Sequence, residues 1–488
     1  MRKFASLSLP LLLLGACAAG PDYHPPVPPS AVAAGAFTAA SDAVSADQPR
    51  GDWWRLYDDP ALDRIVTRAL AANSDLRVAA ANLARAEAVL RESGAARLPA
   101  TNISGGAAYG DGGGGQAGSV GGDNSQWSFA GSAGLSWEVD LAGRIRRALE
   151  AAAADRDAVA AARNHVAATV AAETTRAYID ACSLAEAAAV ARASVAIAAR
   201  GHDIVAAQAR FGSAARFDVE RAATALAHAR AQVPPIDGAR QVALFELAAL
   251  MGLPPAQVPQ EAAQCVRTPG LLAAIPVGNG AGLIARRPDI REAERQLAAA
   301  TARIGVATAD LYPRISLGAS GQYLRSDDVR GGDSFGFSLG PLLSWSFPNQ
   351  RAARARIAQA EAGSQAALAI FDGAVLTALK EAEQALAALT AETGQQAALA
   401  EAVRRAEAAH DLADQRYRAG ASSYLEFLDA QRALVEARHR LALANQALGS
   451  ARVDLFKALG GGWQALPATT SAASTGSTAS SDSAPGAS

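Results

Sequence analysis

The stretch Trp127–Val139, WSFAGSAGLSWEV, decides how the chain is read. Trp127, Phe129, Gly131, Ala133, Leu135, Trp137 and Val139 are apolar or small, and Ser128, Ser132, Ser136 and Glu138 stand between them. A period of two marks a β-strand with one apolar and one polar face. From Trp127 to Trp137 such a strand rises about 33 Å at roughly 3.3 Å per residue. Tilted by about 40°, it spans about 25 Å, the apolar band of an outer-membrane barrel, with a tryptophan near each interface. Ser, Gly and acidic residues on the other face suit a water-filled lumen rather than the core of a soluble sandwich.

Working outward, the stretch has a partner. Trp137 matches Trp345, Gly212 matches Gly420, Leu226 matches Leu434, Leu247 matches Leu455 and Gly252 matches Gly460, each 208 residues apart. Ser74–Leu76 (SDL) matches Pro288–Ile290 (PDI), and Pro99 matches Pro313, at a spacing of 214. The chain therefore reads as two similar halves. Thr101, Ile103, Ala107 and Tyr109 make a second strand-like run in the first half. Ile315, Leu317, Ala319 and Tyr323, then Phe335, Phe337, Leu339, Leu343, Trp345 and Phe347, make two in the second. Two hairpins give four strands per chain. Four strands cannot close a barrel, and an open edge is not tolerated in lipid, so several copies are expected to share one. The Gly-rich link between the first two strands has no Lys and leads into no helix, which argues against a phosphate loop.

About 70 residues rich in Ala, Arg, Glu and Val run from Gly143 to Gly212 without proline, and a similar length runs from Gln350 to Gly420. As helices each would extend about 105 Å. The return is split into about 40 residues from Gly212 to Gly252, a Pro-rich break, and 24 more from Asp289 to Tyr312. Asp75–Leu98 is expected to supply the matching upper piece for the second half. Pro234 and Pro235 should interrupt the first return helix only, since Ala442 and Leu443 stand opposite them. Helices this long and this rich in Ala need partners along their length, as in a coiled coil.

Of the 488 residues half are apolar by a count that includes Ala, aromatics are only 5%, and net charge is −2, so no global field points to nucleic acid. Arg2 and Lys3 precede an apolar run ending in LLGAC, which resembles a signal peptide with a lipobox acylated at Cys17. By resemblance to sorted lipoproteins, Ala18 rather than Asp after the cysteine implies the outer membrane over retention at the inner one. Beyond the signal no eighteen-residue window is apolar and free of charge, so strands are expected to make any crossing. Cys182 and Cys265 are read as isolated thiols, with a disulfide in an oxidising periplasm as the alternative. His165, His202 and His228 lie on helical stretches without metal-ligand spacing and no nucleophile sits in a catalytic motif, so neither enzyme nor cofactor is expected.

Four motifs carry a family resemblance: GPDYHPP after Cys17, WWRLYDDPALDRIVTRALAANSDLRVAAANLARAEA from Trp53, RRPDIREAERQLAAATARIGVATADLYPRISL from Arg286, and RYRAGASSYLEFLDAQRAL from Arg416. The chain resembles the TolC-like outer-membrane efflux proteins, specifically the NodT/OprM-like lipoprotein branch that serves tripartite resistance-nodulation-division pumps. The resemblance implies a mainly α fold with a membrane β-barrel: a homotrimer with twelve strands in one barrel above a long coiled-coil helical tunnel. It implies an exit duct for drugs or other small molecules, working with a periplasmic membrane-fusion adaptor and an inner-membrane pump. The alternatives are the duct of a type I protein secretion system and a non-conducting envelope-spanning structural lipoprotein.

The organisation expected is a signal peptide at 1–16 and a lipid-anchored extended segment at 17–60. A first repeat at 61–252 has its hairpin at 100–140 and its tip near 212. An equatorial linker at 253–287 leads to a second repeat at 288–462, with its hairpin at 314–347 and its tip near 420, and a disordered tail at 463–488 follows. By resemblance Gly212, Ser213, Gly420, Ala421 and Ser422 form the tips that meet the adaptor. Asp218, Glu426, Asp429 and Tyr417 line or brace the periplasmic aperture, where Ser422 replaces the usual basic partner. Trp127, Trp137, Phe335 and Trp345 form the membrane girdles.

Overall fold

The computed structural model describes residues 18–26, 37–39, 44–111, 125–271, 274–326, 329–348 and 350–461. Cys17, the signal segment and the tail at 463–488 lie outside the described residues. The chain is mainly helical. In order it forms β1 (Val44–Ser45), α1 (Pro60–Ala72), α2 (Ser74–Ala95), β2 (Ala100–Asp111), β3 (Ser125–Val139), α3 (Arg144–Arg210), α4 (Arg216–Ala231) and α5 (Val233–Leu250). There follow α6 (Gln260–Ala263), β4 (Ile275–Pro276), α7 (Gly280–Arg286), α8 (Pro288–Ala309), β5 (Arg314–Arg325), β6 (Phe335–Ser344), α9 (Arg351–Arg418) and α10 (Tyr424–Ala458).

β2, β3, β5 and β6 form one antiparallel sheet in that order, and the period of two survives the register. Trp127 lies opposite Tyr109, Phe129 opposite Ala107, Trp137 opposite Leu317, and Leu317 in turn opposite Pro341. The odd-numbered residues of Ile103–Tyr109, Trp127–Val139, Ile315–Tyr323 and Phe335–Leu343 thus share an apolar face. Ser104, Ser132, Ser136, Ser316, Ser320, Gln322 and Ser338 share the other.

The 67-residue α3 and the 68-residue α9 run from the sheet to the far tips at about 1.5 Å per residue, close to 100 Å each. α3 packs along α2, α4 and α5 and also along α8 and α10, whereas α9 packs along α8 and α10. Four columns result: α4–α5–α2, then α3, then α10–α8, then α9. Because β2 follows α2, β3 leads into α3, β5 follows α8 and β6 leads into α9, the strands stand in the order of the columns beneath them. Both α3 and α9 contain an Ala-rich stretch long and apolar enough to cross a membrane by length and composition, but half of the stretch in α3 is buried within the molecule. Small side chains there let neighbouring helices approach closely.

The columns are assembled differently from the expectation. Asn73 Nδ2 donates to Leu250 O at 3.0 Å, so α2 continues the first return helix, α5. Arg287 Nη1 donates to Ala458 O at 2.8 Å and Arg286 Nε to Leu459 O at 2.8 Å, so α8 continues α10. The expected pairing is therefore reversed. Asn73 and Arg287 are the N-caps of α2 and α8, 214 residues apart, and their acceptors are 208 apart. Gly252 and Gly460 make the two turns with positive φ of 68° and 72°. Neither leaves room for a side chain: a Cβ would lie 2.7 Å from Ala72 O in one case and from Arg287 Cγ in the other.

The largest core is a belt at mid-height. Trp53 stacks on Phe456 with centroids 4.5 Å apart, and Trp54, Leu62, Ile65 and Val66 pack with Ala171, Tyr178 and Cys182 of α3 and Val375 and Leu386 of α9. Tyr178 donates to Asp59 Oδ2 at 2.8 Å, and Asp59 caps α1. A second departure lies here. Cys182 and Cys265 are joined by a disulfide, with Cα atoms 5.1 Å apart, rather than standing as isolated thiols. The segment after Gly252 lies over α3 and brings the two sulfurs together, a proximity that a sequence separation of 83 does not reveal.

Candidate functional site

Two surfaces carry candidate function, the sheet and the far tips. On the apolar face, Trp127 packs with Tyr109 (5.5 Å) and Phe129 (6.2 Å), and Phe335 with Tyr323 (5.0 Å). At the other end, Trp137 Nε1 donates to Arg97 O at 3.0 Å and Trp345 Nε1 to Leu311 O at 3.1 Å, the same bond 208 and 214 residues on. These aromatics are uncovered: Trp127 is 56% exposed, Phe335 72% and Phe337 92%. A contiguous apolar face of this size needs an apolar surrounding. Among the described residues, β2 and β6 each pair on one side only, which leaves two open edges.

Beside the sheet lies the segment that begins at Ala18. Ala19 N donates to Ala142 O at 3.0 Å, in the turn between β3 and α3. Arg147, 4% exposed, holds this strap through Asp22 (2.6 Å) and Ala19 O (3.1 Å) and is braced by Glu150 one turn along α3 (2.7 Å). Tyr23 then donates to Glu294 at 2.5 Å, and burial pushes its phenol pKa up, with the Glu294 carboxylate adding to the rise. Thr38 and Ala39 amides reach Glu383 at 2.8 and 2.9 Å. Residue 18 is thereby fixed at the foot of the sheet.

At the far tips, Gly212 and Gly420 both have positive φ, 75° and 70°, with open space around them. Ser213 N donates to Gln208 O at 2.9 Å and Ala421 N to Arg416 O at 2.8 Å, closing each outgoing helix with a glycine turn. Ser423 caps α10, its Oγ accepting from Glu426 N at 3.3 Å, while Ala215 at the start of α4 offers no side-chain acceptor. Ser422 Oγ is buried without a hydrogen-bond partner among the described residues.

The structure brings some of the expected aperture residues together and not others. Tyr417 donates to Gln208 Oε1 at 2.6 Å, linking α9 to α3. Its ring stacks on Phe427 at 5.5 Å and meets Tyr424 at 5.8 Å. Burial raises the Tyr417 phenol pKa, partly offset by Gln208, and the Asp218 carboxylate acts on both Tyr417 and Tyr424. Asp218 thus shares this neighbourhood, whereas Glu426 and Asp429 are exposed on α10, Asp429 lying 4.0 Å from Arg432. Gln208, Tyr424 and Phe427 escaped sequence reasoning. Tyr424, Phe427 and Leu428 do fall on one helix face by spacing, but Gln208 lies 209 residues from Tyr417 and no local pattern announces it.

A family model described as outer membrane efflux protein matches residues 65–253 and 282–461. The chain belongs to that family. The gap between the two matched stretches falls on the segment that crosses the belt. As an outer membrane efflux protein it resides in the outer membrane, and the family supplies the outer-membrane channels of tripartite efflux systems. It is 32% identical over 470 residues to Nodulation protein T of Rhizobium leguminosarum bv. viciae, spanning 95% of this chain and 94% of the relative. It is 31% identical over 471 residues to the pyoverdine export outer membrane protein OpmQ of Pseudomonas aeruginosa, spanning 95% and 97%. Its fold is similar to that of the outer-membrane channel OprN, with a TM-score of 0.84 at 32% identity over 92% of this chain and all of that one. OpmQ is thus named for export and OprN for an outer-membrane channel.

Proposed function

We propose that three copies join their four-stranded sheets edge to edge into a twelve-stranded barrel, and that their columns close a tunnel below it. The chain is then a passive, non-enzymatic exit duct for drugs or other small molecules, supplied by a periplasmic adaptor and an inner-membrane resistance-nodulation-division pump. The single observation that carries this reading is the sheet: one continuous apolar face, one serine-rich face, and two unpaired edges. Lipid requires that such edges be closed, and the serine-rich face then lines water. Trp127 and Phe335 serve as the outer girdle, Trp137 and Trp345 as the inner. A relative named for pyoverdine export supports small-molecule cargo.

The two family-matched stretches support a duplicated chain, with repeats at 61–252 and 288–462, the linker 253–287 between them, the anchored segment 17–60 before them and a tail at 463–488. Acylation of Cys17 accords with the docking of Ala18 and Ala19 at the foot of the sheet. Gly212, Ser213, Gly420, Ala421 and Ser422 meet the adaptor. Asp218, Glu426, Asp429 and Tyr417 surround the aperture and favour cations there.

Single-channel recording in planar bilayers tests the duct. Discrete conductance is expected, rising when Tyr417 is replaced by Ala; a trimer that stays silent even with the aperture acids replaced would refute it. Photo-cross-linking from position 422 tests the tip, and an active pump that yields no adaptor cross-link rules out the placement.

A further inference from the structure

The bond between Cys182 and Cys265 ties α3 to the segment after α6. Cys182 is fully buried on α3 at the level of the belt, and Cys265 is half-buried just after α6. The lower part of α3, the first tip, α4 and α5 all lie within the loop that the bond closes, so the first lower hairpin hangs from a covalent ring. Weaker ties surround it. Thr268 Oγ1 donates to Glu186 Oε2 at 3.0 Å, one turn below Cys182, and Arg64 Nε donates to Glu261 at 3.1 Å. Thr390 stands 208 residues beyond Cys182, so the second hairpin has no thiol at the matching position. Cys17 is the third and last cysteine of the chain.

We propose that this disulfide makes maturation of the channel depend on thiol oxidation in the periplasm, with the chain a substrate of a disulfide-donating protein carrier, and that the bond fastens segment 253–287 to α3. The outer-membrane placement puts the belt in an oxidising compartment. The Cys265 thiolate attacks one sulfur of the carrier disulfide and expels the other as a thiolate. The Cys182 thiolate then attacks Cys265 Sγ, and the carrier departs as a dithiol. Two electrons pass to the carrier, and the two protons lost by the cysteines match the two its thiolates take up. Since Cys182 is sealed in the folded chain, exchange precedes the seating of the belt.

The test uses the full chain in cells with and without their periplasmic disulfide carrier, scored by maleimide mass-tagging of denatured protein and by trypsin cleavage after the exposed Arg267. Mature wild-type protein is expected to carry no free thiol. Loss of the carrier should lower its trimer yield several-fold and leave two thiols taggable, while the Cys182→Ala/Cys265→Ala variant, whatever its own yield, should not respond to carrier loss. Reducing purified wild-type trimer should speed cleavage after Arg267 by about tenfold or more. Two taggable thiols in wild-type trimer, an equal loss of yield in the double variant, or unchanged cleavage after reduction each overturns the proposal. Should the variant not accumulate, the reduction arm alone decides. Conductance of reduced trimer reads the duct separately: its persistence leaves the duct standing whatever becomes of the disulfide.

Discussion

The two lower hairpins follow one plan and are stiffened in opposite ways. In the first, the return breaks at Gln232 between α4 and α5, with Pro234 at the start of α5, Ala215 leaves α4 uncapped, and a disulfide holds the root. In the second, α10 runs unbroken from Tyr424 to Ala458, Ser423 caps it, and Tyr417, Tyr424 and Phe427 form an aromatic clamp against α3. One hairpin is secured far from its tip and the other near it. A proline pair is tolerated at a helix start, where the missing N–H needs no partner, and not in the interior.

The sharpest way to break this contrast is to remove the clamp. Phe427, 5% exposed, touches Tyr417, Tyr424 and His410, and Phe427→Ala should cost about 3–5 kcal/mol in local stability. Hydrogen exchange by mass spectrometry should show faster exchange at the second tip and little change at the first. Ala442→Pro would impose on α10 the break that α5 already accommodates, and should cost about 3 kcal/mol, read as exchange spreading along 438–446. Pro234→Ala should leave the exchange of 233–250 nearly unchanged.

Where the hairpins agree, equal effects are expected. Gly212→Ala and Gly420→Ala meet no neighbour within 4 Å, so each pays only for its left-handed backbone, about 1–2 kcal/mol. A large difference between them in thermal unfolding of the trimer would show that one tip is held by contacts beyond its own turn. The smallest effects lie at the caps. Ser423→Ala should lose about 1 kcal/mol and Ala215→Ser recover up to a similar amount, making the two tips more alike in exchange rate.

Much of this architecture is written in local pattern. The period of two in Trp127–Val139 and Phe335–Leu343 identifies the strands and their faces, long proline-free runs identify α3 and α9, and Gly212 and Gly420 mark the turns. Pro234 and Pro235 end up where a break was expected. The joining of the columns was not legible. α2 and α8 are both 22 residues long, so either could complete either return by length, and the choice rests on Asn73 and Arg287 reaching carbonyls 177 and 171 residues away. The disulfide and the Gln208–Tyr417 link were hidden for the same reason: both join positions that only the packed columns bring together.

That crossed joining has a consequence in time. A chain crossing the inner membrane from its N-terminus delivers Asn73 long before Leu250, and Arg287 long before Ala458. Neither α2 nor α8 can rest on its column when it emerges, and each waits for a helix not yet delivered. Phe456, which stacks on Trp53, likewise arrives long after its partner. The belt is therefore completed by α10, and a chain stopped short of it would leave α8 with no column to stand on.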